Sequence, residues 1–500
     1  MGMVENPESG PFHPDLAGDL SILREALHRA GYRETAVTDV LEGRNDRMID
    51  VQCAMRRSAE PSPFHSLVRL FILGAIIPDV AACLAVFPAD IERLIAGGVI
   101  KRDGDGVRAT ARLAPWRDFL LFSDFIPAEG EPLRADFVMS GASPSSVSLT
   151  RLTFRNPVVS ALDVGTGAGI HALLAAAHAK CVVATDTNAR ALNFAAMNAR
   201  LNAIENVSFK QGSFFEPVAG ERFDLIVSNP PFIVSPESSL MFQSPGMAGD
   251  GVSQLMVRES PRYLTDGGCA ISLISWHHQG ESDWSERPRG WAAGSGCDCW
   301  LLRASSQDPL SYAANALRQT ESIRSASYAE QLDRWVDYYR FHKISRLALG
   351  GVILRKRQAS ENWFHCENLA GAAVATDAGP QIQRMFAAED ILAEIDDEAL
   401  LDRRVALHPD HLLEQKLVAG EGGWLSQSLV LVPANGIEHR STIDTRVLFL
   451  LSQCHGARTV SEMISSVGES DGTDFAAAAD SGLPLVKRLL RAGLLVVQEN

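Results

Sequence analysis

The chain has 500 residues, of which 46% are hydrophobic and 21% are charged. This composition excludes a disordered protein, and the length predicts two to four domains. The net charge of −15 argues against broad binding to a phosphate backbone, which requires a basic face, and leaves a local basic patch possible. The charge therefore favours a protein or small polar partner over long duplex nucleic acid.

The sequence predicts a cytoplasmic protein without a membrane anchor. The best apolar run, residues 67–77, is short and contains Arg69, which is typical of a core helix. Residues 1–18 lack the basic-then-apolar pattern of a signal peptide. Among eight cysteines, Cys297 and Cys299 are the close pair, and no histidine cluster accompanies them. We therefore predict no metal site and expect free thiols.

Residues 1–114 have the pattern of a helical domain that ends in a small β wing. Apolar spacing predicts helices at 16–31 and 64–77, and two shorter ones follow from Pro78 and Pro88. Residues 99–109 then predict a hairpin around Asp-Gly, which completes a winged-helix-like domain. The wing offers Lys101, Arg102 and Arg108. It serves either to recognise nucleic acid or peptide or as a rigid cap over a pocket.

Residues 115–357 alternate between strand and helix patterns, after a strand-like segment at 116–125. Strands are predicted at 160–165, 181–186, 206–210, 223–228, 268–275, 297–303 and 346–355, and helices at 169–179, 188–202, 252–264 and 328–342. This alternation predicts an α/β domain with a doubly wound, mostly parallel sheet and ligands at the strand carboxyl ends. Residues 277–296 are polar and glycine-rich, which predicts a loop with at most a short helix.

Residues 358–500 differ in composition and predict a separate C-terminal domain. Residues 362–375 have no regular pattern, and acidic helical stretches follow within 381–407. Residues 441–498 again predict a winged-helix-like end, with three helices and a final strand. This end is either a peptide-binding module or a structural or dimerising appendage.

Two motifs organise the central domain. Residues 161–170, ALDVGTGAGI, predict a buried strand, a glycine turn that a ligand can approach closely, and a helix. Asp186 ends the next strand, where a carboxylate can accept both ribose hydroxyls. The G-x-G-x-G spacing, with an acid two residues before the first glycine, differs from the G-x-G-x-x-G of dinucleotide folds.

The second motif is NPPF at residues 229–232, after the strand 223–228. The Asn229 side-chain oxygen and the Pro230 carbonyl can accept the two protons of a planar NH₂ group. Pro231 fixes the loop and lacks an N–H, so that carbonyl groups point into the pocket. Phe232 can stack on a flat acceptor. These groups predict a site for a planar amide or amine.

Together the motifs resemble the class I S-adenosylmethionine-dependent methyltransferases of the Asn-Pro-Pro-aromatic subgroup, which methylate base amines and glutamine amides. The closest local resemblance is to protein-glutamine methyltransferases acting on release factors and ribosomal proteins, and it includes Gly-Asp-Gly at residues 249–251. It covers about residues 136–357. It implies a Rossmann-like sheet with a reversed strand at the edge.

The resemblance implies S-adenosylmethionine as the cofactor. The implied cofactor-binding residues are Asp163, Gly165, Thr166, Gly167, Gly169, Asp186, Thr187, Ser213, Phe214 and Asn229. The implied catalytic residues are Asn229, Pro230 and Phe232. Ser213 and Phe214 stand where the family usually has an acid, which leaves the adenine contact open. Ser145, Ser146 and Leu149 belong either to a segment over the cofactor or to a surface loop.

The sequence leaves more than one methyl acceptor open. We expect an N-methyltransferase acting on a protein or peptide, at a glutamine side chain. Phe232 replaces the tyrosine of the glutamine enzymes and is common in enzymes that act on ribosomal-RNA guanine, so an RNA or DNA base amine is the alternative. A non-catalytic binding protein is a third possibility. His277 and His278 are expected to line the pocket rather than act as a base. The oligomeric state is left open.

Overall fold

The computed structural model describes residues 10–42, 49–127, 131, 133–236, 247, 249–279, 281, 284–318, 326–359, 361–369, 376–420, 422–437 and 440–498. The chain divides into two compact units. Unit 1 comprises Met1–Leu149 and Asn156–Ala370, and unit 2 comprises Thr150–Arg155 and Gly371–Asn500. The domain borders predicted at residues 114 and 357 stay predictions.

Unit 1 begins with short helices and two hairpins. The helices are α1 (Leu20–Arg29), α2 (Glu34–Val40), α3 (Val51–Arg57), α4 (Pro63–Leu67), α5 (Asp79–Val86) and α6 (Ile91–Ala96). The strands are β1 (Ile77–Pro78), β2 (Ile100–Asp103), β3 (Gly106–Ala109), β4 (Arg112–Trp116) and β5 (Phe119–Ser123). The predicted hairpin is confirmed, because β2 pairs antiparallel with β3. The helix predicted over 64–77 is shorter: it continues as a π-helical turn, Val68–Ile72, and stops before Gly74, whose φ is +62°.

The rest of unit 1 holds the predicted α/β alternation. Its strands are β6 (Val158–Val164), β7 (Ala179–Asp186), β8 (Val207–Gln211), β9 (Phe223–Ser228), β10 (Leu264–His278), β11 (Cys297–Gln307), β12 (Arg346–Lys356) and β13 (Phe364–Asn368). Its helices are α7 (Pro144–Leu152), α8 (Ile170–Ala176), α9 (Ala189–Leu201), α10 (Gly251–Glu259), α11 (Glu286–Ala292), α12 (Pro309–Leu317) and α13 (Ala326–Phe341). Short 3₁₀ turns cover Glu216–Val218 and Ser260–Tyr263.

These eight strands form one sheet in the order β13-β11-β12-β10-β9-β6-β7-β8. The strands from β10 to β8 in this order run parallel, which confirms the predicted mostly parallel α/β sheet. The prediction of a reversed strand at the edge is wrong. The reversed strand β12 pairs antiparallel with both β10 and β11, and β13 adds parallel to β11 beyond them. β13 is mostly exposed and polar, so its segment gave no strand pattern.

The N-terminal segment packs on the sheet domain within unit 1. The Phe12 ring lies 4.8 Å from that of Phe122 and 4.9 Å from that of Phe194 on α9. The Asn193 side chain bonds both backbone groups of Phe12, at 3.2 and 2.9 Å. Because α9 follows β7 directly, this shared core also fixes the carboxyl end of β7.

Unit 2 combines helices with two small sheets. Its helices are α14 (Gly379–Glu394), α15 (Asp397–Leu401), α16 (Thr445–Gln453), α17 (Val460–Asp471) and α18 (Phe475–Arg491). Its strands are β14 (Arg404–Leu407), β15 (His411–Gly420), β16 (Gly423–Pro433), β17 (Ser441–Ile443), β18 (His455–Thr459) and β19 (Leu495–Val497). The sheets have the orders β18-β14-β19 and β15-β16-β17. Three helices and a last strand are present as predicted, while the winged-helix assignment stays a prediction.

Among the described residues, every helix is too short or too polar to cross a bilayer. The same residues contain no group of three or more His, Cys, Asp or Glu side chains that could hold a metal ion. Cys297 and Cys299 are both buried on β11 as free thiols. Burial raises the pKa of Cys297 to about 11, so this thiol is a poor nucleophile at neutral pH.

Candidate active site

Three neighbouring parallel strands end at the same level. Val164, the last residue of β6, lies opposite Thr185 of β7 and Ser228 of β9. The glycine turn, Asp186 and Asn229 therefore begin side by side at one edge of the sheet. From β6 the chain continues to β7 on one side, whereas β9 pairs on the other, and such a reversal opens a crevice in which ligands of α/β sheets bind.

The glycine turn is held from both sides by buried groups. The N–H groups of Gly165 and Thr166 both donate to the carbonyl of Thr185, at 2.9 Å. Asp163 Oδ2 accepts from Thr166 Oγ1 at 2.7 Å and from Ala172 N at 3.0 Å. Its second oxygen, Oδ1, is buried and has no hydrogen-bond partner in the part of the chain that the structure describes. Burial raises the pKa of Asp163 to about 7, so this carboxyl is poised to respond to a nearby cation.

Two of the glycines are required for different reasons. Gly167 has φ +54°, and a Cβ built there would meet nothing within 4 Å, so the turn has an open face. Gly169 has φ +90°, and a Cβ there would lie 3.0 Å from the Cβ of Ala195. Gly169 therefore lets α8 approach α9, while Gly167 leaves room for a ligand.

Asp186 links the glycine turn to the start of α9. Its half-buried carboxylate accepts from Gly167 N at 2.9 Å and from Asn188 N at 2.8 Å. Burial raises the pKa of Asp186, and these backbone donors oppose that rise. Asn188 in turn caps α9 by accepting from the backbone N–H groups of Arg190 and Ala191. The acid is thus fixed at the edge of the crevice.

The loop after β8 is tied to the same edge. Gly212 N donates to the carbonyl of Asp186 at 3.0 Å, and Thr185 Oγ1 donates to the carbonyl of Phe214 at 3.2 Å. Phe214 has φ +46°, an unfavourable conformation for a bulky residue. The structure thus brings Ser213 and Phe214 next to Asp186. The adenine contact of either residue stays a prediction.

Asn229 is bonded to the helix that precedes the glycine motif. Its Nδ2 donates to Ser145 Oγ at 3.1 Å and to Ser146 Oγ at 3.2 Å, and Ser143 Oγ contacts both hydroxyls. The segment of Ser145, Ser146 and Leu149 is therefore helix α7 rather than a surface loop. Its place over the cofactor stays a prediction. Within the described residues, the Asn229 side-chain oxygen has no partner.

The far end of the same loop is clamped by two tyrosines. Val234 N donates to Tyr312 Oη at 3.1 Å, and Tyr339 Oη donates to the Val234 carbonyl at 2.6 Å. Phe232 is half-buried and has no aromatic contact among the described residues. The sequence reading missed both tyrosines, which lie on α12 and α13. They are 78 and 105 residues from Val234, and no local motif marks them.

The two histidines at the end of β10 face different neighbours. His277 lies beside Asp250, with Nε2 3.7 Å from Oδ2, and Arg287 forms two bonds to the same carboxylate, at 2.9 and 2.7 Å. Burial lowers the pKa of His277, and Asp250 opposes this effect. His278 is buried and contacts Ser306 Oγ at 3.2 Å. Neither contact identifies a base, so their role as pocket wall stays a prediction.

Three family models match separate parts of the chain. Residues 145–284 match the methyltransferase small domain, which spans the glycine turn, Asp186 and Asn229. Residues 29–110 and 383–497 each match a domain of unknown function, DUF7059 and DUF7782 respectively. The methyltransferase assignment thus rests on the segment in which the structure assembles the crevice.

The same segment is similar to curated release factor glutamine methyltransferases. The one from Xylella fastidiosa (strain 9a5c) is 39% identical over 126 residues, and the one from Yersinia pestis is 39% identical over 130 residues. Each alignment covers 23% of this chain and 46% of the relative, so the chain spans about half the length of the curated relatives it matches. Among solved structures, a methyltransferase from Pyrococcus furiosus is 16% identical with a TM-score of 0.28, covering 47% of this chain and 89% of that one. The match of residues 145–284 to the methyltransferase small domain agrees with the S-adenosylmethionine-dependent methyltransferase that the motifs predicted.

Proposed function

We propose that the whole chain is an S-adenosylmethionine-dependent N-methyltransferase that methylates a glutamine side-chain amide in a protein. The observation that carries the proposal is the hydrogen bonding of the Asn229 side chain. Its NH₂ group is bonded to two serines of α7, and its oxygen has no partner among the described residues. An asparagine held in this way offers an acceptor oxygen at the crevice, level with the glycine turn.

The residues on the glycine side fit the cofactor. The open face at Gly167 leaves room for it. Asp163 Oδ1, which has no donor among the described residues, can accept a hydrogen bond from the ammonium group of the cofactor. The Asp186 carboxylate can also accept from ribose hydroxyls. When bound, S-adenosylmethionine supplies an electrophilic methyl group on a sulfonium sulfur. The proposed roles of Thr187, Ser213 and Phe214 are to line the same side of the crevice.

The residues of the NPPF loop would hold the acceptor nitrogen. The Asn229 oxygen and the Pro230 carbonyl accept the two N–H groups of the planar amide and so fix its orientation, and Phe232 stacks on its face. Because an amide lone pair is delocalised, this polarisation helps to make the nitrogen nucleophilic. The methylated nitrogen is strongly acidic, so its proton leaves without a dedicated base. His277 then remains part of the wall.

The alternative acceptor, a nucleic-acid base amine, has Phe232 in its favour. The N-terminal wing speaks against it. Arg102 is paired with Asp79 and Glu92, and Arg108 with Asp103, so two of the three wing cations are already neutralised. We therefore propose that the winged-helix-like N-terminal segment is a rigid cap and that the acceptor is a protein, such as a translation factor in the cytoplasm.

Transfer of a radiolabelled methyl group into a cell extract tests this function. We expect label in material that protease releases and nuclease does not, with wild-type chain and not with Asn229→Ala. Asn315→Ala, an exposed asparagine on α12, is the matched control and should behave as wild type. Label that nuclease releases would replace the glutamine proposal with the base-amine alternative. No transfer at all would contradict both.

A further inference from the structure

Unit 2 carries a strand edge that the methyltransferase site does not use. β15 is an edge strand of its sheet, and among the described residues it pairs with β16 alone. Residues 412–417 of β15 are all exposed. They include Leu412, Leu413 and Leu417, whose exposed fractions are 57%, 44% and 46%. Folded proteins ordinarily cover or blunt a long apolar edge, because its free backbone groups pair with other strands.

The pairing with β16 shows which backbone groups face the free edge. Ala434 N donates to the carbonyl of Asp410, and the register continues through His411 opposite Pro433 to Lys416 opposite Ser428. In an antiparallel ladder, hydrogen-bonded pairs alternate with non-bonded pairs. The even-numbered residues of β15 therefore bond to β16. The N–H and C=O groups of Leu413, Gln415 and Leu417 point outward.

If another strand pairs antiparallel with the free edge of β15, the outward-pointing N–H and C=O groups of the two strands must face each other. A two-fold axis at Gln415 satisfies this condition and sets Glu414 opposite Lys416 of the second copy, and Lys416 opposite its Glu414. A two-fold axis at Glu414 or at Lys416 would instead set like charges opposite each other. The Gln415 register also places Leu413 opposite Leu417 of the second copy. In the Gln415 register, each charged residue of segment 412–417 thus lies opposite a residue of opposite charge.

We infer that β15 pairs with β15 of a second copy of this chain, antiparallel about a two-fold axis at Gln415. The two Glu–Lys pairs occupy non-bonded positions, where opposed side chains are closest. Arg440 already forms an ion pair with Glu414, and the carboxylate has lone pairs left for a lysine as well. The resulting six-stranded sheet would leave β15 with no free edge.

A second copy is the occupant that the charges favour. A different strand would have to present, in N-to-C order, a glutamate, one central residue and a lysine, flanked by apolar residues. This chain itself supplies that order. The net charge of −15 also opposes non-specific self-association, so a dimer requires local complementarity of this kind.

Light scattering after size exclusion of the full-length chain, over a range of concentrations, tests the inference. Wild type should be a dimer. Glu414→Lys alone and Lys416→Glu alone should each weaken the dimer at least about tenfold, because both set like charges opposite each other. The double variant Glu414→Lys/Lys416→Glu restores complementarity and should restore the dimer. Glu398→Lys, an exposed charge reversal on α15, is the control and should leave it intact.

Gln415→Pro gives an independent test. Its N–H points to the free edge, so a proline there removes bonds to the second copy and none to β16. We expect a monomer with an unchanged circular dichroism spectrum. A wild-type monomer at all concentrations, a complex formed only with another protein, or a dimer that both single charge reversals leave intact would each overturn the inference.

Discussion

The two sides of the crevice are built in different ways. On the proposed cofactor side, the contacts of the glycine turn span short stretches of chain. Asp163 bonds to Thr166 and Ala172 within nine residues, and Asp186 bonds to Gly167 across 19 residues. On the acceptor side, the NPPF loop depends on distant helices, with serines of α7 at one end and tyrosines of α12 and α13 at the other. The glycine turn and Asp186 therefore form one short motif. The acceptor side takes its shape from the rest of the chain.

This difference separates two functions that mutation can test one at a time. In the proposed function, groups on the local side contact the cofactor before and during reaction, so their loss should appear in cofactor affinity. The proposal has groups on the distant side hold the acceptor nitrogen as it becomes cationic, so their loss should appear in the rate. Four predictions test this assignment of the two sides.

The largest effect is expected for Asn229→Ala. Removal of a preorganised group that polarises the reacting nitrogen should lower kcat about 100-fold to 1,000-fold, or roughly 3–4 kcal/mol. Cofactor affinity, measured by calorimetry, should stay close to wild type, because Asn229 is one of ten implied cofactor-binding residues and the glycine turn and Asp186 are unchanged. Wild-type turnover in this variant would remove Asn229 from the catalytic centre.

Asp186→Ala should show the opposite pattern. Loss of the carboxylate should weaken cofactor binding by roughly 1–3 kcal/mol, the range for charge-assisted hydrogen bonds. At saturating cofactor, kcat should recover most of its wild-type value. Asp118→Ala, an exposed aspartate between β4 and β5, is the matched control. A variant with unchanged affinity and reduced kcat would reverse the assignment of the two sides.

Cofactor affinity should also depend on pH through Asp163. Burial raises the pKa of this carboxyl to about 7, and a cationic ligand group favours its ionised form. As the pH falls from 8 to 6, the ionised fraction falls about tenfold, and affinity should fall with it. In Asp163→Asn this part of the dependence should disappear. An equal pH dependence in both proteins would assign the effect to another group.

The smallest effect is expected for Ser145→Ala/Ser146→Ala. These hydroxyls act through Asn229, so their loss frees its amide to rotate and should lower kcat about fivefold, or about 1 kcal/mol. Cofactor affinity should be unchanged. Ser148→Ala on the same helix removes a hydroxyl that donates to the Pro144 carbonyl and is the matched control. If the double variant matched this control in kcat, the serines would have no positioning role.

The same division explains what the sequence could predict. The glycine turn, Asp186 and the NPPF loop lie in short motifs with their own turn chemistry, and the structure brings all three to one edge of the sheet. The strands β6, β7, β9 and β10 are mostly buried and rich in apolar residues, so the sequence predicts their alternation with helices. Local sequence is sufficient wherever the contacts are local.

Long-range contacts could not be predicted in this way. Tyr312 and Tyr339 look like ordinary residues of amphipathic helices, and only the fold brings them to Val234. The edge strand β13 is mostly polar and exposed, so no apolar pattern marks it. The sequence predicts the reversed strand at the edge of the sheet, whereas β12 lies between β11 and β10. Such features depend on tertiary packing rather than on propensity.

The most direct test of the central claim is to locate the transferred methyl group. Fragment mass spectrometry of the acceptor that the wild-type chain labels in an extract would identify the modified atom. The proposed geometry predicts a methyl group on the side-chain nitrogen of a glutamine, absent after treatment with Asn229→Ala. A methyl group on a nucleic-acid base, on a carboxylate or on a lysine would contradict it.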